Sequence, residues 1–225
     1  LHGVGTRQLA FDQLRRRLEE EGLCAEARKK NLPTLPNKIG IVTSTEGAAL
    51  RDVMTVIARR FPSSHIVISP TSVQGERASQ RITEALKAIV SIPAIDVVIL
   101  ARGGGSVEDL WAFNDETLAR TIAESPVPVI SAIGHETDYT ISDFVADHRA
   151  PTPSAAAEIV VAKYTEFTER ITQVSDRLKA ATNRRFEQLH STVNAIQNRP
   201  GLIAFSTRLA LTARRVDDTS YRFTI

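Results

Sequence analysis

Two periods alternate along the first two thirds of the chain. Phe11, Leu14 and Leu18 recur at steps of three and four among charged residues, with Gly22 placed to end the run, and predict a surface helix over residues 8–21. KIGIVTS lacks that period. It is a short apolar run rich in branched residues and predicts a buried strand over 38–43. HIVISP at 65–70, DVVILAR at 96–102 and PVISAIG at 128–134 read the same way, each apolar on both faces. Ala49, Val53 and Ile57, then Ile82, Ala85, Leu86 and Ile89, then Leu118 and Ile122 mark helices between the strands. The order β-α-β-α-β-α-β, with strands buried on both faces, predicts an α/β fold. It is a doubly wound, mostly parallel sheet of about four or more strands within residues 1–150. Periodicity leaves the strand order open.

After APTPSAAAE the pattern changes. Pro151 and Pro153 cannot continue a preceding helix, Ser154 can cap a new one, and no Gly or Pro interrupts residues 155–198. Val160, Tyr164, Phe167, Ile171, Val174 and Leu178 form a heptad seam, which resumes after a stutter at Phe186, Leu189, Val193 and Ile196. Asn198-Arg199-Pro200-Gly201 breaks the helix, and Leu202, Phe205 and Leu209 suggest a second helix returning along the first. Residues 151–225 are therefore expected to be a coiled-coil arm, either a hairpin or a partner-binding surface. Self-association as a homodimer, or capture of helical subunits, would bury the seam.

Composition narrows the function. The 225 residues are 42% hydrophobic and 24% charged, enough for an ordinary core. A net charge of +2 excludes a histone-like basic coat and confines any nucleic-acid contact to local patches. Up to residue 150 there are 17 basic and 19 acidic residues, and beyond it 11 and 7, so the arm is mildly basic. A solvated helix surface and a nucleic-acid surface both fit that excess. The single cysteine, Cys24, excludes an internal disulfide and a Cys-based zinc site; a cytoplasmic location is expected. No apolar run approaches the roughly 20 residues that cross a bilayer, and the polar start lacks a signal-peptide core, so no membrane partner is expected.

In open α/β sheets ligands bind outside the carboxyl ends of the strands. Three of these ends carry unusual residues: Thr43-Ser44-Thr45-Glu46-Gly47, Arg102-Gly103-Gly104-Gly105-Ser106 and Gly134-His135-Glu136-Thr137-Asp138. Glycines let backbone N–H groups approach an anion, and a guanidinium grips phosphate oxygens bidentately, so Arg102, Gly103, Gly104, Gly105 and Ser106 read as a phosphate cradle, with Ser44 beside it. A tight turn holding a structural arginine is the alternative. The loop is neither a P-loop, which needs Gly-Lys-Ser/Thr, nor a dinucleotide fingerprint, which wants glycine where Glu108 stands.

A free imidazole titrates near neutrality, and His135 has Asp138 three residues on, which makes it the first candidate for a general acid or base; a structural histidine is the other reading. HETDY lacks the second histidine of a zincin site. Asp52 falls about two turns into the helix after the first strand, where a site residue and a surface residue look alike. Helix caps and solvated faces account for Asp115 and Asp143; Asp109 and Asn114 are further polar candidates. Trp111 and Phe113 could stack on bases, but burial under the glycine loop is the favoured expectation.

Taken together, KIGIVTSTEGAALRD at 38–52, PTSVQGERA at 70–78, ARGGGSVEDLWAFNDE at 101–116 and PVISAIGHETDYTISDFVADHRAPTPSAAAE at 128–158 closely resemble the exodeoxyribonuclease VII large-subunit family. The resemblance implies an exonuclease that cuts single-stranded DNA from both ends into oligonucleotides and associates with several copies of a small helical subunit through the arm. It also implies that Asp52, Arg102, His135 and Asp138 are the essential residues. Arg102 and the loop amides would hold the phosphate, His135 would transfer protons, and Asp138 or Asp52 would orient it or activate water. Several carboxylates around a phosphate would ordinarily suggest Mg²⁺, but the resemblance implies no strictly required cofactor and leaves Mg²⁺ as an optional enhancer.

The family normally opens with an oligonucleotide-binding β-barrel, and this chain starts where that module would end, so the barrel is expected to be absent from it. The arm is also shorter than the family's. Two competing readings remain from the residues themselves: an α/β enzyme gripping a nucleotide or sugar phosphate, and a catalytically idle coiled-coil scaffold.

Overall fold

The computed structural model describes residues 2–103, 107–134 and 138–223, with side chains from Arg7 onward except at 107–109, 202, 222 and 223. The chain divides into two compact units, Leu1–Phe167 and Thr168–Ile225.

The first unit is built on five parallel strands: β1 (Lys38–Thr43), β2 (His65–Pro70), β3 (Val97–Ala101), β4 (Val129–Ala132) and β5 (His148–Arg149), in the order β2-β1-β3-β4-β5. Ile39 pairs with Ile66 on one side and Val97 on the other, and Ile99 pairs with Ile130. Because side chains alternate along a strand, each face collects its own core. Ile39, Ile41, Val97, Ile99 and Ile130 face α2 (Ala48–Arg60) and the start of α6 (Pro153–Gln197). Val42, Val98, Leu100 and Val129 face α1 (His2–Glu20), α3 (Ala78–Val90), α4 (Glu116–Glu124) and α5 (Ile141–Val145). A Cβ on Gly40 would stand 2.8 Å from Ile89 Cδ1, so glycine there lets α3 lie close against the sheet.

The doubly wound α/β expectation holds, with two differences. β2 is apolar on both faces yet forms an edge, where Ile68 is exposed. β5 escapes a hydrophobic pattern because it is only His148-Arg149. Polar side chains fasten the rim. Asp147 accepts from the Val129 and Lys30 amides, 2.8 Å each, and Asp96 accepts from the Asn37 and Lys38 amides at 2.7 and 2.9 Å. Arg28 donates to the carbonyls of Leu23, Ala123 and Val145, tying three helix ends together.

The start of α6 belongs to this unit. Ala156, Ala157, Val160 and Val161 are buried, and Tyr164 stacks on Phe61 with ring centroids 3.8 Å apart. The packing boundary thus falls after Phe167 rather than at 150, because the first seam residues serve the α/β core.

The second unit holds the rest of α6 and α7 (Pro200–Phe223). Among its described residues the seam is uncovered: Ile171, Val174, Leu178, Phe186, Leu189, Val193 and Ile196 are all exposed, as are Phe205 and Leu209 of α7. The expected return of α7 along α6 is not formed. The Arg199 amide bonds to Ile196 at the end of α6, and the Ile203 amide bonds to Arg199 at the start of α7. No helix among the described residues is long and apolar enough to cross a membrane.

Candidate active site at the carboxyl ends of the sheet

From β1 the chain crosses through α2 to β2 on one side, then through α3 to β3 on the other. The connections therefore diverge between β1 and β3, the place where open α/β sheets leave a crevice. A cleft of about 650 Å³ lies there, lined by residues 44–48 after β1, 70–74 after β2, and Arg102-Gly103 after β3. Val42 pairs with Leu100. Ser44 and Arg102 each lie two residues beyond that pair, and both line the cleft.

Arg102 is 5% exposed although it lines the cleft, so its charge is held in the wall rather than waving in solvent. Its amide donates to the Ala132 carbonyl at 3.1 Å, which joins the end of β3 to the end of β4. Gly103 packs on the start of α2, where a Cβ would lie 3.6 Å from the Ala49 nitrogen. That helix starts after Gly47, which has no capping side chain, and Gly47 and Ala48 at its start line the cleft. Thr71 lines the same cleft, and its buried hydroxyl has no hydrogen-bond partner among the described residues, nor has that of Thr43 at the end of β1. Amides, a guanidinium and hydroxyls converging on one cleft are chemistry for an anion.

The other expected residues divide. Ser44 and Gly103 line the cleft with Arg102. Asp138 stands at the end of β4, half-buried, and its backbone fills the space where Gly134 would carry a Cβ. Asp52 is exposed on α2. Neither carboxylate lines the cleft. Gly104, Gly105, Ser106 and His135 lie outside the described residues.

Three polar side chains have structural work. Asp115 caps α4 by accepting from the Leu118 amide at 3.0 Å, and Asn114 accepts from the Ile141 amide at 2.8 Å. Asp143 is buried rather than solvated: it takes the Ser131 hydroxyl at 2.6 Å and the Thr140 amide and hydroxyl at 2.8 Å each. The expectation that both aromatics are buried is corrected for one of them. Phe113 is fully buried, whereas Trp111 is 36% exposed, because it occupies the outer side of the short helical segment Val107–Phe113. Sequence reasoning also passed over the loop after β2. Thr71, Ser72 and Gln74 line the cleft, and the polar run PTSVQGERA was the available signal.

The family model described as exonuclease VII, large subunit, matches residues 23–225. The chain is 47% identical over 223 residues to a protein of Koribacter versatilis named exodeoxyribonuclease 7 large subunit, covering 99% of this chain and 49% of that protein. It is 50% identical over 220 residues to the protein of the same name from Geotalea uraniireducens, covering 98% and 49%. With that from Brevibacillus brevis it shares 47% over 218 residues, covering 97% and 46%. The chain spans about half the length of these relatives. With a matched region that takes in every strand of the sheet and both helices of the arm, the chain belongs to the exonuclease VII large-subunit family.

Proposed function

We propose that this chain carries the nuclease centre of a large subunit that hydrolyses single-stranded DNA from both ends to oligonucleotides. The observation that supports this most is the buried Arg102 in the wall of a cleft that also receives the start of α2. A phosphodiester is anionic and gains charge on its nonbridging and leaving oxygens as water attacks. A guanidinium and backbone amides fixed before the substrate arrives stabilise that charge without reorganising. His135 moves the proton between water and the leaving oxygen, and Asp138, three residues on, orients it. Asp52 is assigned through family resemblance, with its exposed place on α2 leaving it able to meet the strand from outside the cleft.

Mg²⁺ is an enhancer in this proposal. Glu46 is the single carboxylate among the described residues of the cleft, and no three metal-binding side chains cluster among the described residues. No step of this proposal runs through a metal, which follows the family resemblance. The exposed seam of α6 is the surface for several copies of the small helical subunit or for a second copy of this chain. The cytoplasm, where Cys24 stays reduced, is the proposed location.

The deciding experiment is cleavage of end-labelled single-stranded and duplex DNA, with and without added small subunit, in buffer and in excess chelator. Shortening of single strands from both ends that survives chelation is expected. Complete loss in chelator, restored by Mg²⁺, would end the metal-free assignment, and tight binding of mononucleotides without strand cleavage would favour a small-ligand enzyme.

A further inference from the structure

Beside the Arg102 cleft lies a second cleft of about 510 Å³, walled by Gly75, Glu76 and Ser79 on one side and Trp111, Asn114 and Asp115 on the other, with Arg7 of α1 at its edge. The two clefts adjoin along the loop after β2. Gln74 lines the first and Gly75 the second, and consecutive Cα atoms are about 3.8 Å apart. Arg102 and Gly103 line the first cleft, and Trp111, the next aromatic residue after them in sequence, lines the second.

Trp111 is 36% exposed in a segment whose next aromatic, Phe113, is fully buried. The guanidinium of Arg7 lies 5.8 Å from the indole centroid, within cation–π range. The segment is pinned just beyond the indole, by the Asn114 bond to the Ile141 amide and the Asp115 cap on α4. An aromatic ring on such an anchored segment, facing a polar cleft, has the form of a stacking platform.

We propose that Trp111 stacks on a base of the strand whose phosphate occupies the Arg102 cleft. This rests on the single-stranded DNA reading above and adds where the strand's next contact lies. The carboxylates of Glu76 and Asp115 repel a phosphate, so the second cleft takes the uncharged base and leaves the backbone to Arg102. Stacking is indifferent to sequence because every base has a π face, and Arg7 sits where it adds charge near the strand.

Trp111 is the only tryptophan in the chain, so indole emission reports this site alone. The 225-residue chain is titrated at low salt with unlabelled oligothymidylate, reading indole emission, and with a labelled strand, reading anisotropy; cleavage is followed in parallel. Emission should fall along the same isotherm as the anisotropy rise. Trp111→Ala should weaken strand binding about 5- to 150-fold and Trp111→Phe by less, with unchanged melting. A strand that binds and is cleaved while wild-type emission stays constant, and that binds Trp111→Ala equally well, overturns the platform and leaves the nuclease reading standing. Absence of both strand binding and cleavage overturns the two together. Equal affinity for thymidine monophosphate and the strand overturns the assignment of a strand to the two clefts.

Discussion

The amide of Arg102 donates to the carbonyl of Ala132 across 3.1 Å, so the strand end that delivers the guanidinium is bound to the strand end that leads into Gly134 and His135. Chemistry placed on two distant stretches of sequence is thereby held at neighbouring points of one sheet edge.

Loss of the guanidinium should remove the fixed charge that the transition state needs. Arg102→Ala is expected to lower the rate of single-strand cleavage by at least about 10²-fold, the scale seen when one preorganised donor is lost. Arg102→Lys should recover only part, since an ammonium cannot make the bidentate contact. Single-turnover rates on labelled strands, with far-UV circular dichroism as the folding control, check this.

Asp52 is exposed on α2 and forms no ion pair with another described residue. Asp52→Asn should therefore leave thermal stability within about 0.5 kcal/mol of the parent. A fall in cleavage by this variant without a fall in melting temperature would be chemical in origin; full activity would remove Asp52 from the assigned set.

Gly134 has no space for a side chain, because the Asp138 carbonyl occupies the position of a Cβ. Gly134→Ala should destabilise the first unit by about 1–3 kcal/mol through overpacking or displace Asp138. Denaturant unfolding measures the first effect and cleavage rate the second.

Burial pushes the Cys24 thiol above its ordinary pKa, and the nearby Glu19 carboxylate adds to the shift. A raised pKa means less thiolate at a given pH. Alkylation of this lone cysteine by iodoacetamide near neutral pH should be slower than that of free cysteine, and should accelerate as pH rises past the free thiol's range. Mass spectrometry of timed samples follows it, and a rate equal to that of free cysteine would contradict the shift.

The uncovered seam of α6 predicts concentration-dependent association. Light scattering should show species larger than one chain, and Leu178→Asp with Leu189→Asp should return the protein to a monomer without altering the melting of the first unit. A clean monomer of the parent at high concentration would contradict it.

Local order was largely readable in advance. β1 and β2 match their expected spans residue for residue, and β3 and β4 lie inside theirs, because a run of branched apolar residues bounded by breakers has few alternatives to a buried strand. Trp111 shows where that reasoning stops. Nothing in its neighbourhood distinguishes it from Phe113, and its exposure depends on which side of a short helical turn meets α4 and the sheet.

The amino-acid pattern alone thus specified an α/β domain with a helical arm, the chemically unusual strand ends, and the family they resemble. Strand order, the pairing of the β1 and β3 ends around one cleft, the part played by the 70–74 loop, and the exposure of the arm's seam came from the folded chain. Periodicity says which face of an element is apolar; it carries no information about which elements lie side by side, since that depends on long-range packing among residues far apart in the chain.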